Sequence, residues 1–422
     1  MAEGPLSGFR VLEYGQYVAV PFATMLLADL GADVIKIEPP TGDQYRHYDP
    51  FAPGESRFFY SLNRNKRAVV LDLKTAEGMQ QSAALVATAD AVIHNLLPER
   101  ASRYGLDRAS VRCVNPRAIW VNVSPFGSAG PDAGRPGFDF TAQARSGLLL
   151  ADPRPDDSAP HRLGGLAIVD FTTGMLAAIS ALTGLLVRAT SDGIHNFEVS
   201  LLGSALALQA QRFVSVAGLD EMADEGSAVD HTVSPEGFAE LAAAIHDREA
   251  LEPYYRSYRC LDGFLTLACL NPRQRQGVCD LIGLADPWID NPQQIPVDEA
   301  ERRERLAHVT RLEDAFQRQP VAGWLAELDR RNVPAVEVRA LHSMFDDPQV
   351  RANGLVQAVH QPGAGAVRLL GNLFKVDERN TPAARPAPAL DEHHGELFDD
   401  LGRVAEDQRY PIRAGNTPGG LS

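Results

Sequence analysis

The first 125 residues alternate between a two-residue and a roughly four-residue apolar period, and that alternation constrains the fold more than any other feature. "FRVLEYG" is a short apolar and β-branched run. "PFATMLLADLGA" follows with apolar residues at helical spacing, Pro21 near its start and Gly31 at its end, which is helix punctuation. "DVIKIEPP" reads as a second strand and "AVVLDL" as a third, with a helix from about Thr75. "DAVIHNL", a second short helix and "AIWVNVSPFG" complete the series. Alternation of this kind predicts an α/β chain with a doubly wound parallel sheet. Such sheets bind ligands beyond the carboxyl ends of their strands. Here those ends are Glu38-Pro39-Pro40, Asp72-Leu73-Lys74, Asn95 and Ser124-Pro125. No G-x-G-x-x-G follows the first strand and there is no P-loop, so a nicotinamide or ATP site has no motif to stand on.

A chain of 422 residues exceeds one compact core, and two domains are expected. The boundaries read as a large domain over 1–217, an acidic and polar linker over 218–237, a smaller α+β domain over 238–335 and a C-terminal segment over 336–422. The small domain carries strands around an Asp262-Gly263 turn. The net charge of −15 argues against nucleic-acid and anionic-membrane partners. The four cysteines, Cys113, Cys260, Cys269 and Cys279, form no C-x-x-C pair, and no His cluster has metal spacing, so no metal site is expected. Their low count fits a reducing compartment. "MAEGPLSGFR" lacks a signal-peptide pattern, and the reading is cytoplasmic. Phe171–Val187 is the most membrane-like run. It is shorter than the roughly 20 residues a span requires and is expected to be a buried core helix.

That run opens on a problem. "GGLAIVDFTTGMLAAISALTGLLV" holds one acidic residue, Asp170, and burying a lone carboxylate is costly unless something pairs with it or uses it. Placed between an apparent strand, "LAIV", and a helix, Asp170 suits a helix N-cap. It equally suits a nucleophile steadied by a helix N-terminus. Cations cluster at Arg64, Lys66, Arg67 and Lys74, with Asn95, Arg100 and Arg103 beyond. Position at strand ends favours Lys74, Asn95 and Arg103 for a phosphate pocket. His47, His94, His161 and His195 have no partner at catalytic spacing, and Ser124, followed by Pro125, reads as a turn.

Several segments together resemble the class III CoA-transferases, the family of formyl-CoA transferase, carnitine CoA-transferase and α-methylacyl-CoA racemase. They are "PLSGFRVLEYG", "LLADLGADVIKIEPPTGD", "NRNKRAVVLDLKTAEG", "ADAVIHNLLP", "NPRAIWVNVSPFGSAGP", "GLAIVDFTTGMLAA", "YRSYRCLDGFLTLA" and "RPAPALDEHHGELFDDLG", in family order over nearly the whole chain. The resemblance implies that Asp170 is the nucleophile, attacking an acyl-CoA thioester and passing through a mixed anhydride and an aspartyl-CoA thioester before a carboxylic acid accepts the CoA. It places the CoA contacts on Val18, Ala19, Pro39, Leu71, Asp72, Leu73, Lys74, Asn95, Leu96, Leu97, Arg103, Gly137, Phe138 and Asp139. Val18 stands where formyl-CoA transferase has glutamine and Pro39 where it has arginine, so those contacts are apolar or through backbone. No glycine-rich loop occurs near Asp262-Gly263, which argues against formate or oxalate. The racemase branch carries a proton-transfer histidine in a "GHD" segment. Here the segment is "GFD", and Phe138 cannot move a proton, which favours transferase over racemase. An intramolecular CoA transfer and a CoA-binding paralogue without turnover remain alternatives. The resemblance further implies acyl-CoA and a small carboxylic acid as partners, coenzyme A without metal, and a homodimer of two interlocked ring-shaped chains with a Rossmann-like large domain.

Overall fold

The computed structural model describes residues 4–154, 157–191, 193, 195–216, 233–292, 294, 296–377, 379–380 and 385–399. The chain forms two compact units. The larger comprises Met1–Leu148, Gly164–Val214 and Pro348–Ser422, and the smaller Leu149–Leu163 and Ser215–Asp347.

The larger unit is built on six parallel strands: β1 (Arg10–Tyr14), β2 (Asp33–Glu38), β3 (Arg67–Val70), β4 (Ala91–His94), β5 (Ile119–Ser124) and β6 (Phe197–Ser200). Their order is β3-β2-β1-β4-β5-β6, with every pairing parallel. The direction of winding reverses between β1 and β4, which creates a crevice at their carboxyl ends. The strands are rich in buried apolar residues because both faces are covered, and the charged Glu13 and Lys36 buried among them pair with each other. On one face Val11, Val34, Ile93 and Val121 pack with α1 (Ala19–Asp29) and α7 (Ile168–Thr190). On the other, Leu12, Ile35, Val69, Val92 and Trp120 pack with Leu85 and Val86 of α3 (Ala76–Ala87) and Val111 of α5 (Arg108–Val114). The remaining helices are α2 (Arg57–Asn63), α4 (Pro98–Arg103), α6 (Asp139–Arg145) and α8 (Leu201–Ala207).

The segment before Asp170 is not a strand. Gly164 and Gly165 both take positive φ, 60° and 66°, a conformation open to glycine at little cost. They turn the chain directly into α7, whose N-cap is Ala167. The helix then runs 23 residues, longer than the apolar run from Phe171 to Val187 suggests. Its small residues face inward: Thr173, Gly174, Ala177, Ala178, Ala181 and Gly184 are all buried. Gly174 is required by a close approach, since a Cβ there would lie 2.7 Å from the Ala19 carbonyl oxygen on α1. This contact brings the start of α7 to the start of α1.

The β3 edge is covered by residues 385–399. His393 N–H donates to the Ala68 carbonyl, Ala68 and Val70 N–H donate to His393 Nδ1 and Asp391 Oδ1, and Leu397 is buried among α3-side residues. Covering an edge in this way blocks pairing with another chain.

The smaller unit holds a three-stranded antiparallel sheet of β7 (Ser257–Arg259), β8 (Phe264–Leu267) and β9 (Ala335–Glu337), with β8 central. Around it lie α9 (Pro235–Ala250), α10 (Pro272–Ile282), α11 (Glu299–Phe316) and α12 (Val321–Arg330). Tyr254, Tyr258, Leu265, Phe316 and Trp324 form its core, together with the free thiols Cys260, Cys269 and Cys279. Most of the linker read over 218–237 lies outside the described residues. Its last positions, from Pro235, are already the first turn of α9.

Candidate active site

A cleft of about 870 Å³ opens at the carboxyl ends of β1, β2, β3, β4 and β5. Its wall is made of the loops that follow those strands: Gly15–Ala19, Pro39–Thr41, Leu71–Lys74, Asn95–Leu97 and Ser124-Pro125, joined by Gly137, Phe138 and Asp170. All the sequence candidates except Asp139 therefore converge on one surface, although they span 150 residues of chain. Arg100 and Tyr104 also line it. Arg100 lies one helical turn before Arg103, and Tyr104 follows Arg103 at the end of α4.

Each wall segment is held by identifiable bonds. After β1, Tyr17 has φ 67°, and its N–H donates to Asp43 Oδ1 at 3.4 Å. The Gly15 carbonyl accepts from Lys36 Nζ at 3.0 Å and the Gln16 carbonyl from Asn95 Nδ2 at 3.1 Å. After β3, Asp72 Oδ1 accepts from Lys74 N–H at 3.1 Å, and the Thr75 hydroxyl caps α3 by accepting from Gly78 N–H at 3.0 Å. Lys74, Arg100 and Arg103 supply the positive charge of the cleft. Arg103 also meets Glu99 one turn away at 2.8 Å, an exposed pair of little energetic weight.

The other cations of the "NRNKR" segment are structural. Arg64 pairs with Asp29 and Arg67 with Asp33, both at 2.5 Å, and Lys66 with Glu13 at 2.8 Å. All three are buried. The sequence shows a cluster of charge but not which members already have an anion beside them.

Asp170 is not the helix cap. It sits in the first turn of α7, three residues beyond Ala167. The donors of that turn are taken by Asp139, whose Oδ2 accepts from Val169 N–H at 2.8 Å and Asp170 N–H at 3.0 Å. Asp139 Oδ1 accepts from Gln143 Nε2 at 2.5 Å, and the residue is only 6% exposed. Asp139 therefore does not reach the cleft surface, although sequence reading put it there. The start of α6 is fixed by Phe138 N–H, which donates to the Thr141 hydroxyl at 2.8 Å. Gly137 fits because a Cβ would lie 2.8 Å from Pro125 Cβ.

The Asp170 carboxylate lines the cleft and has no hydrogen-bond or ion-pair partner among the described residues. Burial, and then the Asp139 charge, push its carboxyl up to about 7. Tyr45 is pushed up to about 12, by burial and then by the Asp170 charge. Its ring meets Tyr17 edge-on at 5.7 Å, and Tyr17 meets Phe138 at 5.6 Å. No histidine lines the cleft among the described residues. His94 lies buried on β4 against Trp120, and burial drives its pKa down to about 4.

A parallel sheet whose strand-end cleft holds a bare carboxylate at one side and cations at another suits covalent chemistry on a large anionic ligand. Comparison with known proteins identifies the class. The model of CoA-transferase family III matches residues 6–394, and the chain belongs to that family. It is similar to the succinate–glutarate CoA-transferase of Agrobacterium fabrum, with 30% identity over 94% of this chain and 96% of that one. The succinyl-CoA:glutarate CoA-transferase of Mus musculus is 29% identical over 95% and 87% of the two chains. The crystal structure of a CaiB/BaiF family protein from Brucella suis superposes with a TM-score of 0.74 at 28% identity, covering 94% of this chain and all of that one.

Proposed function

We propose that this protein is an acyl-CoA:carboxylate CoA-transferase in which Asp170 is the nucleophile. The supporting observation is the Asp170 carboxylate itself, bare of partners in a cleft walled by strand-end loops. An Asp170 oxygen attacks the thioester carbonyl, the C–S bond breaks, and CoA leaves as thiolate with the electron pair. Thiolate returns to the aspartyl carbonyl of the anhydride, releasing the donor acid and leaving an aspartyl-CoA thioester. The acceptor carboxylate attacks that thioester, and the thiolate then attacks the acceptor's carbonyl in the new anhydride and frees Asp170. Thioester is exchanged for thioester, so no external energy source is needed, and the relay replaces one hard step with easier ones. Apolar side chains at Val18, Phe138 and Leu97 suit the exclusion of water from an anhydride. Incubation with an acyl-CoA followed by hydroxylamine or borohydride should label Asp170, located by mass spectrometry. A label elsewhere, or none, would remove the assignment. Phe138 supports transfer over racemisation, and solvent deuterium entering the acyl α-carbon would reverse that preference.

In this reading Lys74 and Arg103 contact CoA phosphates, and Val18, Ala19, Pro39, Leu71–Leu73, Asn95–Leu97, Gly137 and Phe138 contact the rest of CoA. Replacing Lys74 or Arg103 by alanine is expected to weaken CoA binding about 10- to 100-fold. The loss should be larger at 20 mM than at about 500 mM salt, because exposed charges are screened. Calorimetric titration with CoA reads both. Unchanged dissociation constants in both variants would place the phosphates elsewhere. The relatives named for succinyl-CoA and glutarate make short dicarboxylates the first acids to screen as donors and acceptors.

The chain is also proposed to act as an interlocked homodimer. Leu166, Met175, Ile179 and Leu186 are each about half exposed or more. The last three form a stripe along α7 larger than single stray apolar residues. Mass photometry at nanomolar concentration should show about twice the chain mass of 45.7 kDa. Two differently tagged preparations should exchange no subunits over hours, since a threaded ring opens only by unfolding, which is slow. Free exchange would exclude interlocking.

A further inference from the structure

The arrangement at the start of α7 reverses the usual service of a helix N-terminus. First-turn N–H groups normally stabilise a nearby anion. Here two of them, on Val169 and Asp170, are consumed by Asp139, and Asp170 is left without a donor. We propose that Asp139 is a positioning residue that withholds the helix N-terminal donors from Asp170 and sets a like charge beside it, so that acylation of Asp170 relieves the repulsion. This rests on the reading of Asp170 as nucleophile.

The physical reason follows the charge. Before attack, the Asp170 carboxylate at the cleft wall feels the charge of buried Asp139, whose Oδ2 is bound to the Asp170 backbone N–H. When the Asp170 oxygen bonds to the acyl carbon and the C–S bond breaks, the negative charge moves from the aspartate to the departing sulfur. The repulsion with Asp139 ends at that moment, so it is present in the ground state and fading in the transition state, which is the condition for acceleration. A carboxylate held by three or more donors would instead be a stable anion and a weak nucleophile. Among the described residues no cation offsets the pair: the groups that face Asp170 are Asp139 from α6 and Tyr45 from the turn after β2, with the Tyr17 and Phe138 rings beyond. Gln143 completes the device by holding the far oxygen of Asp139.

Asp139→Asn tests the proposal, because an amide oxygen can still accept from Val169 and Asp170 while the charge is gone. The ionisation of Asp170 is read by carbon-13 titration of labelled aspartate, with an Asp170→Asn sample to assign the signal. It is expected near pH 7 in the natural protein and at least one pH unit lower in Asp139→Asn. Single-turnover acylation by acyl-CoA is then measured at pH 9, where Asp170 is ionised in both. One pH unit is tenfold in the equilibrium for neutralising this carboxylate, so the rate should fall about 3- to 10-fold. Asp139→Glu, which keeps the charge, should restore both. A slower Asp139→Asn whose Asp170 ionisation has not moved shows a merely structural cap and overturns the proposal. So does an unchanged acylation rate at pH 9. An Asp170 that ionises below pH 5 in the natural protein overturns it without any variant. If the ionisation moves as expected but acyl label never reaches Asp170, the nucleophile reading fails while the electrostatic coupling stands.

Discussion

Asp170→Asn is expected to lose CoA transfer by about 10⁴-fold or more, the scale on which removal of a covalent nucleophile acts, with binding of CoA retained. The same variant should be more stable than the natural protein at neutral and higher pH. Burial, and then the Asp139 charge, push the Asp170 carboxyl up to about 7, well above the usual aspartate range. Its folded value is raised, so the favourable protonated form is fully present below about pH 4 and is lost as pH rises through 7. Above 7 the natural protein holds an uncompensated carboxylate. The shift corresponds to about 4 kcal/mol at most, and solvent at the cleft wall reduces this to about 2–4 kcal/mol. Thermal melts should therefore show a gain for Asp170→Asn at pH 8 that disappears toward pH 4. Retained activity would move the chemistry to another residue, and equal melting at pH 8 would mean that the carboxylate has partners in solution. Loss of activity with gain of stability is the usual exchange at a functional site.

Glu13→Gln is expected to cost about 3–5 kcal/mol, because it breaks a buried ion network from one side. Glu13 accepts Lys36 Nζ at 2.6 Å and Lys66 Nζ at 2.8 Å, and Lys36 also meets Asp43 at 2.7 Å. All four side chains are fully buried. Two acids and two bases balance, and the substitution leaves two cations with one anion. Burial raises the Glu13 carboxyl, but the two lysines outweigh it and hold the pKa down at about 2. Burial draws Lys66 down to about 8 despite Glu13. In Glu13→Gln, Lys66 loses its partner and falls further. The deficit is therefore greatest below the variant's lowered Lys66 pKa, shrinks as pH rises toward about 8, and levels off above it, where Lys66 has released its proton in both proteins. Urea unfolding at pH 7 and pH 9 measures this, and a loss under about 1 kcal/mol at pH 7 would show that the network is replaceable. Because Lys36 also holds the Gly15 carbonyl, CoA binding should weaken in the surviving folded fraction.

The first five strands of the sheet, the helices α1 and α3 and the strand-end loops were legible in the sequence, because a buried strand is rich in apolar residues and a crossover needs a helix, whereas α2 was not read and α4 and α5 were read as one helix. The sixth strand, Phe197–Ser200, carries Glu198 and joins the sheet only through its long-range pairing with β5, which residue pattern does not show. The cluster of Arg64, Lys66, Arg67 and Lys74 shows the limit most clearly. All four are cations within eleven residues, yet three are locked to Asp29, Glu13 and Asp33 from distant parts of the chain, and only Lys74 lines the cleft.

By itself, the sequence determined that Asp170 needs an explanation, because a lone acid in an apolar run is a local contradiction visible in one dimension. It left cap and nucleophile equally open. The tertiary structure removed the cap reading, since the cap is supplied by Asp139, 31 residues away in the chain. Which N–H groups an anion receives depends on which side chain arrives first in space, and residue spacing carries no information about that.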